Sequence, residues 1–182
     1  MMAMLGGVLW MLWAGSVQGV EWGEPGSVAY ERYEFFNRLL PLALLPVVVG
    51  FIGLHAAQRR SYGQLGMAGF FIVLVGFLLI IAGSLGEFWV FSDQPYDETG
   101  FGRGASWTIF LLGHPFLAVG TVLFGIAAVR ARLLPREVDM MFAVLGAFVV
   151  VPFIGAVFFA IPFVWLGYLL WSGSLQQSTR VT

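Results

Sequence analysis

The chain contains no cysteine and no lysine, and only 10% of its 182 residues are charged. The absence of cysteine excludes disulfides, thiolate metal sites and cysteine nucleophiles. The absence of lysine excludes a Schiff base, and with it a lysine-linked retinal or a pyridoxal enzyme. The formal net charge of −1 provides no basic surface, so we expect no nucleic-acid partner.

Apolar side chains dominate the composition. Hydrophobic residues make up 59% of the chain, aromatic residues make up 16%, and the mean hydropathy is +0.89. A soluble domain carries about 25% charged residues, whereas a helix that crosses a bilayer needs about 20 apolar ones in a row. We therefore predict an all-α, multi-pass helix bundle that forms one integral membrane domain over residues 1–182, located in the cell membrane.

Apolar runs predict five membrane spans, at residues 1–20, 35–57, 65–91, 106–129 and 140–171. The first is either a retained helix or a signal peptide cleaved after a small residue such as Ser16, which would leave four spans. We favour the retained helix because signal peptides normally begin with a positive region, which this chain lacks.

The last run, residues 140–171, contains no charged residue. As one helix it would be about 48 Å long, which exceeds a hydrocarbon core of about 30 Å but does not suffice for two crossings. We therefore predict one long last helix, kinked at Pro152 or Pro162.

The distribution of arginine predicts the orientation. Two tight turns hold most of these residues: Arg59, Arg60, Arg130, Arg132 and Arg136. Because arginine-rich short loops favour the cytoplasmic side, we expect both turns in the cytoplasm and the acidic loops and the C-terminus outside.

Small residues recur every seven positions on two neighbouring spans. They are Gly69, Gly76 and Gly83 on the third span, and Ser106, Gly113, Gly120 and Ala127 on the fourth. Within a bilayer, small residues let helix backbones approach, and a seven-residue period keeps them on one stripe of a left-handed pair. We predict that the two stripes form one shared seam.

Two span ends resemble each other in sequence, residues 51–60 and 123–132. They are either an internal repeat of two parallel-related hairpins, as in some transporters, or two independent inner helix ends that favour small residues followed by arginine. We favour the second interpretation.

Ionisable residues at membrane depth are functional candidates by default. Glu87 lies about one turn below the outer end of the third span, and His114 lies about two turns into the fourth. Arg38 and Arg103, at or near span ends, complete a candidate polar cluster in the outer half of the membrane. Arg38 also follows Glu34 at the i, i+4 spacing that favours an ion pair on a helix.

The sequence predicts neither a metal site nor a cofactor site. His55 lies close to the inner end of its span, where its side chain can reach the interface. Its depth differs from that of His114 by roughly 15 Å, so the two imidazoles cannot ligate one haem. Without cysteine or a third histidine they also cannot form a three-ligand zinc site. Ser84, in a glycine-rich stretch, raises the remote alternative of an intramembrane serine hydrolase.

Three stretches carry a resemblance: Gly86-Glu87-Phe88-Trp89, Asp93-Gln94-Pro95-Tyr96, and residues 123–136. They resemble small uncharacterised multi-pass membrane proteins of high-GC prokaryotes. The resemblance covers about a third of the chain and implies a helical membrane bundle. The resemblance implies no activity and no site residues.

These patterns favour a non-enzymatic accessory protein or a bundle that binds an apolar ligand. High aromatic content and scarce buried charge are typical of such proteins. The alternative is a small proton-coupled transporter that uses Glu87 and His114. Membrane lipid is the expected partner, together with a second copy of the chain or another membrane protein.

Overall fold

Every element in the computed structural model is a helix, and the structure describes residues 2–18, 27–94, 101–131, 136–150 and 154–172. The elements are α1 (Met2–Gln18), α2 (Val28–Gln58), α3 (Gly63–Leu85), α4 (Arg103–Ala131), α5 (Arg136–Leu145) and α6 (Ile154–Ser172). A π-helical turn, Gly86–Val90, extends α3, and a 3₁₀ turn, Gly146–Val150, extends α5.

Three helices are long and apolar enough to cross a membrane: Val28–Gln58, Gly63–Val90 and Arg103–Ala131. This agrees with a membrane protein and with the second, third and fourth predicted spans. The apolar stretches of the other helices are shorter, so the five-span count is not confirmed. Ser27 caps α2 by accepting a hydrogen bond from the Tyr30 amide, and α2 continues as one helix through Pro41 and Pro46.

The glycine seam between α3 and α4 is confirmed. A Cβ atom on Gly76 would lie 2.8 Å from the Leu117 amide nitrogen and 2.9 Å from the Gly113 carbonyl oxygen. Gly83 faces Ser106 and Phe110 in the same way, with its missing Cβ 2.6 Å from the Ser106 carbonyl oxygen. Backbone therefore lies directly against backbone along the helix pair, as small residues permit.

Glycines also allow α1 to pack closely against α2 and α6. A Cβ atom on Gly6 would lie 2.8 Å from the Pro46 carbonyl carbon, and one on Gly7 would lie 2.9 Å from the Ala160 carbonyl oxygen. At the other end of α6, Gly167 meets the backbone of Met4. These pairs show that α1 runs antiparallel to α6, and that α1 packs as part of the bundle.

The bundle axis is filled by large aromatic side chains. The six helices contribute one fully buried ring each: Trp10, Phe51, Phe77, Phe124, Phe142 and Phe163. Phe51 is central, with its ring centroid 4.8 Å from that of Phe124 and 6.2 Å from that of Phe163. Offset and edge contacts of this kind add stabilisation beyond simple burial.

The prediction of one long kinked helix over residues 140–171 is wrong, because the chain reverses there. The rings of Phe142 and Phe163 lie 5.2 Å apart, and those of Phe148 and Phe158 lie 5.3 Å apart. In a continuous helix, residues 21 positions apart would be separated by about 31 Å. Helices α5 and α6 therefore form an antiparallel hairpin.

The sequence around the reversal explains why the helix does not continue. The 3₁₀ turn Gly146–Val150 ends α5, and α6 begins at Ile154. Pro152, one of the two predicted kink sites, lies between them in sequence and outside the described residues. Proline lacks the amide hydrogen that a continuing helix requires. Pro162, the other predicted site, lies within α6.

Candidate functional site

The candidate polar cluster lies where α2, the π-helical turn and the start of α4 meet. Helix α2 contributes Glu34 and Arg38, the turn contributes Glu87, and α4 begins at Arg103. Gly102 precedes Arg103 with φ of +153°, a conformation that disfavours any residue with a Cβ. That bend directs the chain into α4.

Glu34 is the carboxylate on which both arginines converge. Its Oε1 lies 3.4 Å from a terminal guanidinium nitrogen of Arg38 and 3.9 Å from one of Arg103. The Glu34–Arg38 pair has the predicted i, i+4 spacing and is confirmed. The contact with Arg103 links α2 to the start of α4.

Arg103 is buried by aromatic rings rather than by other charges. Its guanidinium carbon lies 5.4 Å from the centroid of Tyr30 and 5.9 Å from that of Phe88, both within cation–π range. One terminal nitrogen donates to the Ser92 carbonyl at 3.4 Å. Only 7% of the residue is exposed, and its Nε finds no hydrogen-bond acceptor among the described residues.

Arg38 fixes α2 against the end of α3. Its Nε donates to the Phe88 carbonyl at 2.9 Å, while Trp89 Nε1 donates to the Arg38 carbonyl at 3.3 Å. The π-helical turn carries both Phe88 and Trp89, and its wider hydrogen-bond spacing joins the Phe91 amide to the Gly86 carbonyl. Single π turns of this kind occur frequently at functional sites.

Glu87 lies inside this cluster without an ion pair. It is 4% exposed, and its Oε2 has no hydrogen-bond partner in the described part of the chain. Arg103 is close enough to act on Glu87 electrostatically, yet among the described residues both arginines form their ion pairs with Glu34. The cluster therefore contains a carboxyl group that is buried beside a cation and not bonded to it.

His114 lies apart from Glu87. It is 3% exposed, its Nδ1 is 3.0 Å from the Phe110 carbonyl oxygen, and its ring packs edge-on against Phe110. From the seam contacts, Glu87 lies opposite the start of α4 near Arg103, so His114 is deeper by about 15 Å at 1.5 Å per residue. The structure thus brings Arg38 and Arg103 together near Glu87, and it places His114 elsewhere.

Ser84 and His114 do not form a nucleophile–base pair in the part of the bundle that the structure describes. The Ser84 hydroxyl donates to the Asn37 carbonyl at 3.2 Å, and His114 bonds the carbonyl of Phe110. Within the described residues there is also no group of three histidine or acidic side chains that could hold a metal ion.

The end of the bundle opposite the candidate polar cluster holds polar residues that the sequence analysis did not identify. Both carboxylate oxygens of Asp139 and both polar atoms of the Gln58 amide are buried without a hydrogen-bond partner among the described residues. Asp139 lies in α5, outside the three span-length helices, and burial raises its pKa to about 7. The spacing of Asp139 and Phe142 in the sequence could have indicated this burial. The two residues are three positions apart, which puts them on one helix face, and Phe142 is fully buried.

His55 is held by neighbouring side chains rather than extended to the interface. Its ring stacks on Phe70 with centroids 3.6 Å apart, and its Nδ1 is hydrogen-bonded to the Tyr62 hydroxyl. Tyr62 in turn covers Gly66, where a larger residue would meet the phenol ring. These contacts tie the end of α2 to the first turn of α3.

An apolar groove of about 290 Å³ opens between α1 and α2. The residues that line it are Leu9, Leu12, Trp13, Ser16, Phe36, Leu39, Leu42 and Ala43. Ser16 has the only hydroxyl in this set, and it donates to the Leu12 carbonyl of its own helix at 2.7 Å. The groove therefore presents hydrocarbon and aromatic surface to whatever occupies it.

No protein-family model, no curated protein and no solved structure matches this chain.

Proposed function

We propose that the protein is a non-enzymatic integral membrane bundle that holds an apolar chain, such as a lipid acyl or prenyl tail, in the groove between α1 and α2. The groove itself is the observation that carries the proposal. Its volume of about 290 Å³ is at the small end of the range for ligand sites, about 300–1,000 Å³, which suits a chain better than a polycyclic ligand.

The chemistry of the groove walls supports an apolar ligand. Leu9 and Leu12 from α1 face Phe36 and Leu39 from α2, and Ser16 satisfies its hydroxyl within α1. A polar ligand would therefore lose its hydrogen bonds to water without replacement, at a cost of a few kcal/mol. A hydrocarbon tail loses nothing by leaving the surrounding lipid for this groove.

The filled axis of the bundle also supports a binding role. Phe124 and Phe163 both lie within ring-contact distance of Phe51 at the centre, where a polar pathway would have to run. Ligand exchange is instead open from the side, because Leu12, Leu39 and Leu42 face outward with 40–61% exposure.

Photolabelling tests this proposal. The purified protein is placed in phosphatidylcholine vesicles that contain a diazirine-bearing fatty acid, and the labelled peptides are mapped. We expect strong labelling of α1 and α2 around the groove, and loss of that labelling in Leu39→Trp, which fills the groove. Leu78→Trp is the matched control, because Leu78 is 65% exposed on α3 outside the groove. Equal labelling on every lipid-facing helix would refute a specific site.

A second candidate function is proton-coupled transport, which the burial of Glu87 on a π-helical turn favours. Its proposed partner His114 is about 15 Å deeper, so a proton would need a relay between them. Proton flux in proteoliposomes tests this candidate: flux in the wild type that Glu87→Gln abolishes would support it. If the wild type shows no proton flux, the transport candidate is refuted and ligand binding is the function that remains.

For orientation, we propose that the two arginine-rich turns lie in the cytoplasm. Because α5 and α6 run antiparallel, Ser172 lies on the side on which α5 begins, and we propose that the tail after it stays on that side. Arg180, which lies in that tail and outside the described residues, then joins the cytoplasmic arginines. The inner side carries six of the nine arginines, and the outer side keeps Arg32, Arg38 and Arg103. The excess of inside arginines is larger here than in the topology predicted from the sequence, which puts the C-terminus outside. A larger excess on the inner side agrees better with the positive-inside rule.

A further inference from the structure

Arg103 lies between two carboxyl groups and is firmly bonded to neither. Its contact with Glu34 is long at 3.9 Å, its bond to the Ser92 carbonyl is long at 3.4 Å, and its Nε is unpaired among the described residues. Glu87 is close enough for Arg103 to act on it electrostatically, is 4% exposed, and has an Oε2 that finds no partner in the described part of the chain. A buried donor and a buried acceptor, both unsatisfied, therefore stand near each other.

The charges around this site permit two arrangements. A guanidinium stays protonated in proteins, whereas a buried carboxyl is stable either as the neutral acid or as an ion with a bonded cation. With Glu87 neutral, Arg103 can remain on Glu34. With Glu87 ionised, its carboxylate would attract Arg103, the arginine that already acts on it electrostatically.

The exchange leaves no charge without a partner. Arg38 already holds Glu34 at 3.4 Å and is anchored by its bond to the Phe88 carbonyl, so Glu34 stays paired when Arg103 leaves. The second arrangement therefore contains two ion pairs, Glu34–Arg38 and Glu87–Arg103. The first arrangement contains one carboxylate, Glu34, shared by both arginines, and one neutral acid, Glu87.

We propose that Arg103 is a proton-dependent switch that exchanges Glu34 for Glu87 when Glu87 releases its proton to the outer aqueous phase. The described titratable and charged groups at this site are Tyr30, Glu34 and Arg38 from α2 and Arg103 from α4, whereas Asp93, in the turn after α3, is exposed. The movement would break the contact between α2 and the start of α4. It would also remove the guanidinium from the ring of Tyr30, so the outer end of α2 loses its tie to α4.

This switch does not depend on the proposed ligand in the groove. The groove lies on the side of α2 that faces α1, whereas Glu34 and Arg38 bind elements of α3 and α4. A negative photolabelling result would therefore refute the ligand in the groove but not the switch. A negative result for the switch would likewise not affect the proposal of a ligand in the groove.

Spin-label distances test the switch in the full chain, which has no native cysteine to remove. Cysteines replace Val28, 67% exposed at the start of α2, and Ile109, 38% exposed on α4. In vesicles, we expect the wild-type background to gain a second, altered distance between pH 5 and pH 8. Infrared spectra over the same range, recorded in an Asp139→Asn background because Asp139 also titrates there, should show a protonated-carboxyl band that is lost as the pH rises and is absent when Glu87→Gln is added.

Three variants make the result decisive. Glu87→Gln imitates the neutral acid and should keep the pH 5 distance at pH 8. Glu34→Gln cannot hold Arg103 by charge and should show the altered distance already at pH 5. Asp93→Asn, the charge control, should behave as the wild type. One distance at both pH values in the wild type, or a Glu34→Gln variant that matches the wild type at pH 5, would overturn the proposal.

Discussion

Gly69 and Gly120 lie backbone to backbone across the α3–α4 interface. A Cβ atom on Gly69 would be 2.9 Å from the Gly120 carbonyl oxygen, and a Cβ atom on Gly120 would be 2.9 Å from the Gly69 carbonyl oxygen. Such reciprocal contact leaves no room for a side chain on either helix. It places α3 and α4 closer than larger residues would allow, and it fixes the register that brings Arg103 beside the π-helical turn.

The seam predicts a large effect for one substitution and none for another. Gly76→Leu should separate α3 from α4, because its side chain would meet the backbone of Gly113 and Leu117. We expect a loss of about 1–3 kcal/mol in the free energy of unfolding, as for other overpacked interiors. Gly53→Leu is the control, since a Cβ there has nothing within 4 Å. Thermal melts in detergent measure both, and equal melting temperatures would contradict the seam.

The helix reversal predicts on which side the C-terminus lies. Single cysteines at Ser61, Thr99 and Ser178 can be labelled in sealed cells with a reagent that does not cross the membrane, in a chain without native cysteine. We expect Thr99 to label from outside, and Ser61 and Ser178 to label only after the cells are opened. Thr99 and Ser178 lie outside the described residues. Labelling of Ser178 together with Thr99 would contradict the α5–α6 hairpin.

Asp139 predicts a pH dependence of stability. Burial raises its pKa in the folded protein to about 7, above the ordinary value of 3.8, so the folded state binds the proton more tightly than the unfolded state does. The free energy of unfolding therefore falls as the pH rises between about 4 and 7, and is level above that range. The total loss is of the order of a few kcal/mol.

Asp139→Asn should remove this part of the pH dependence, because an amide carries no charge at any pH in the range. We expect the variant to melt at a higher temperature than the wild type at pH 8, with a smaller difference at pH 5. Asp93→Asn, at an exposed position, should retain the wild-type dependence. Parallel melting curves of Asp139→Asn and the wild type at all pH values would be inconsistent with a buried Asp139 whose carboxylate has no partner among the described residues.

The two arginines of the candidate polar cluster should differ in their effect on stability. Arg103→Gln removes a buried guanidinium from Tyr30 and Phe88 and from the Ser92 carbonyl, so we expect a loss of about 1–3 kcal/mol. Arg38→Gln removes an ion pair whose arginine side chain is 42% exposed, where such a pair contributes about 1 kcal/mol or less, together with one hydrogen bond to backbone. Chemical denaturation in detergent compares the two, and a larger loss for Arg38→Gln would contradict the assignment.

Several features follow from the sequence alone. Scarce charge and long apolar runs require helices in a membrane, because a lipid-exposed backbone must satisfy its own hydrogen bonds. The seven-residue spacing of Gly69, Gly76 and Gly83 specifies the α3–α4 interface, since only small residues permit that approach. The i, i+4 spacing of Glu34 and Arg38 fixes their ion pair, which needs no information from beyond one helix turn.

Only the tertiary structure decided how the remaining residues are arranged. By its composition, the long apolar run after Met140 is compatible with either one kinked helix or a hairpin of two helices. The packing of Phe142 against Phe163 shows that it forms the hairpin. The sequence did not determine the partner of Arg103 either, because that partner depends on the register between three helices. The register places Glu34 within reach and leaves Glu87 Oε2 without a hydrogen-bond partner among the described residues. Local spacing determines contacts within a helix, whereas contacts between helices depend on how every interface packs at once.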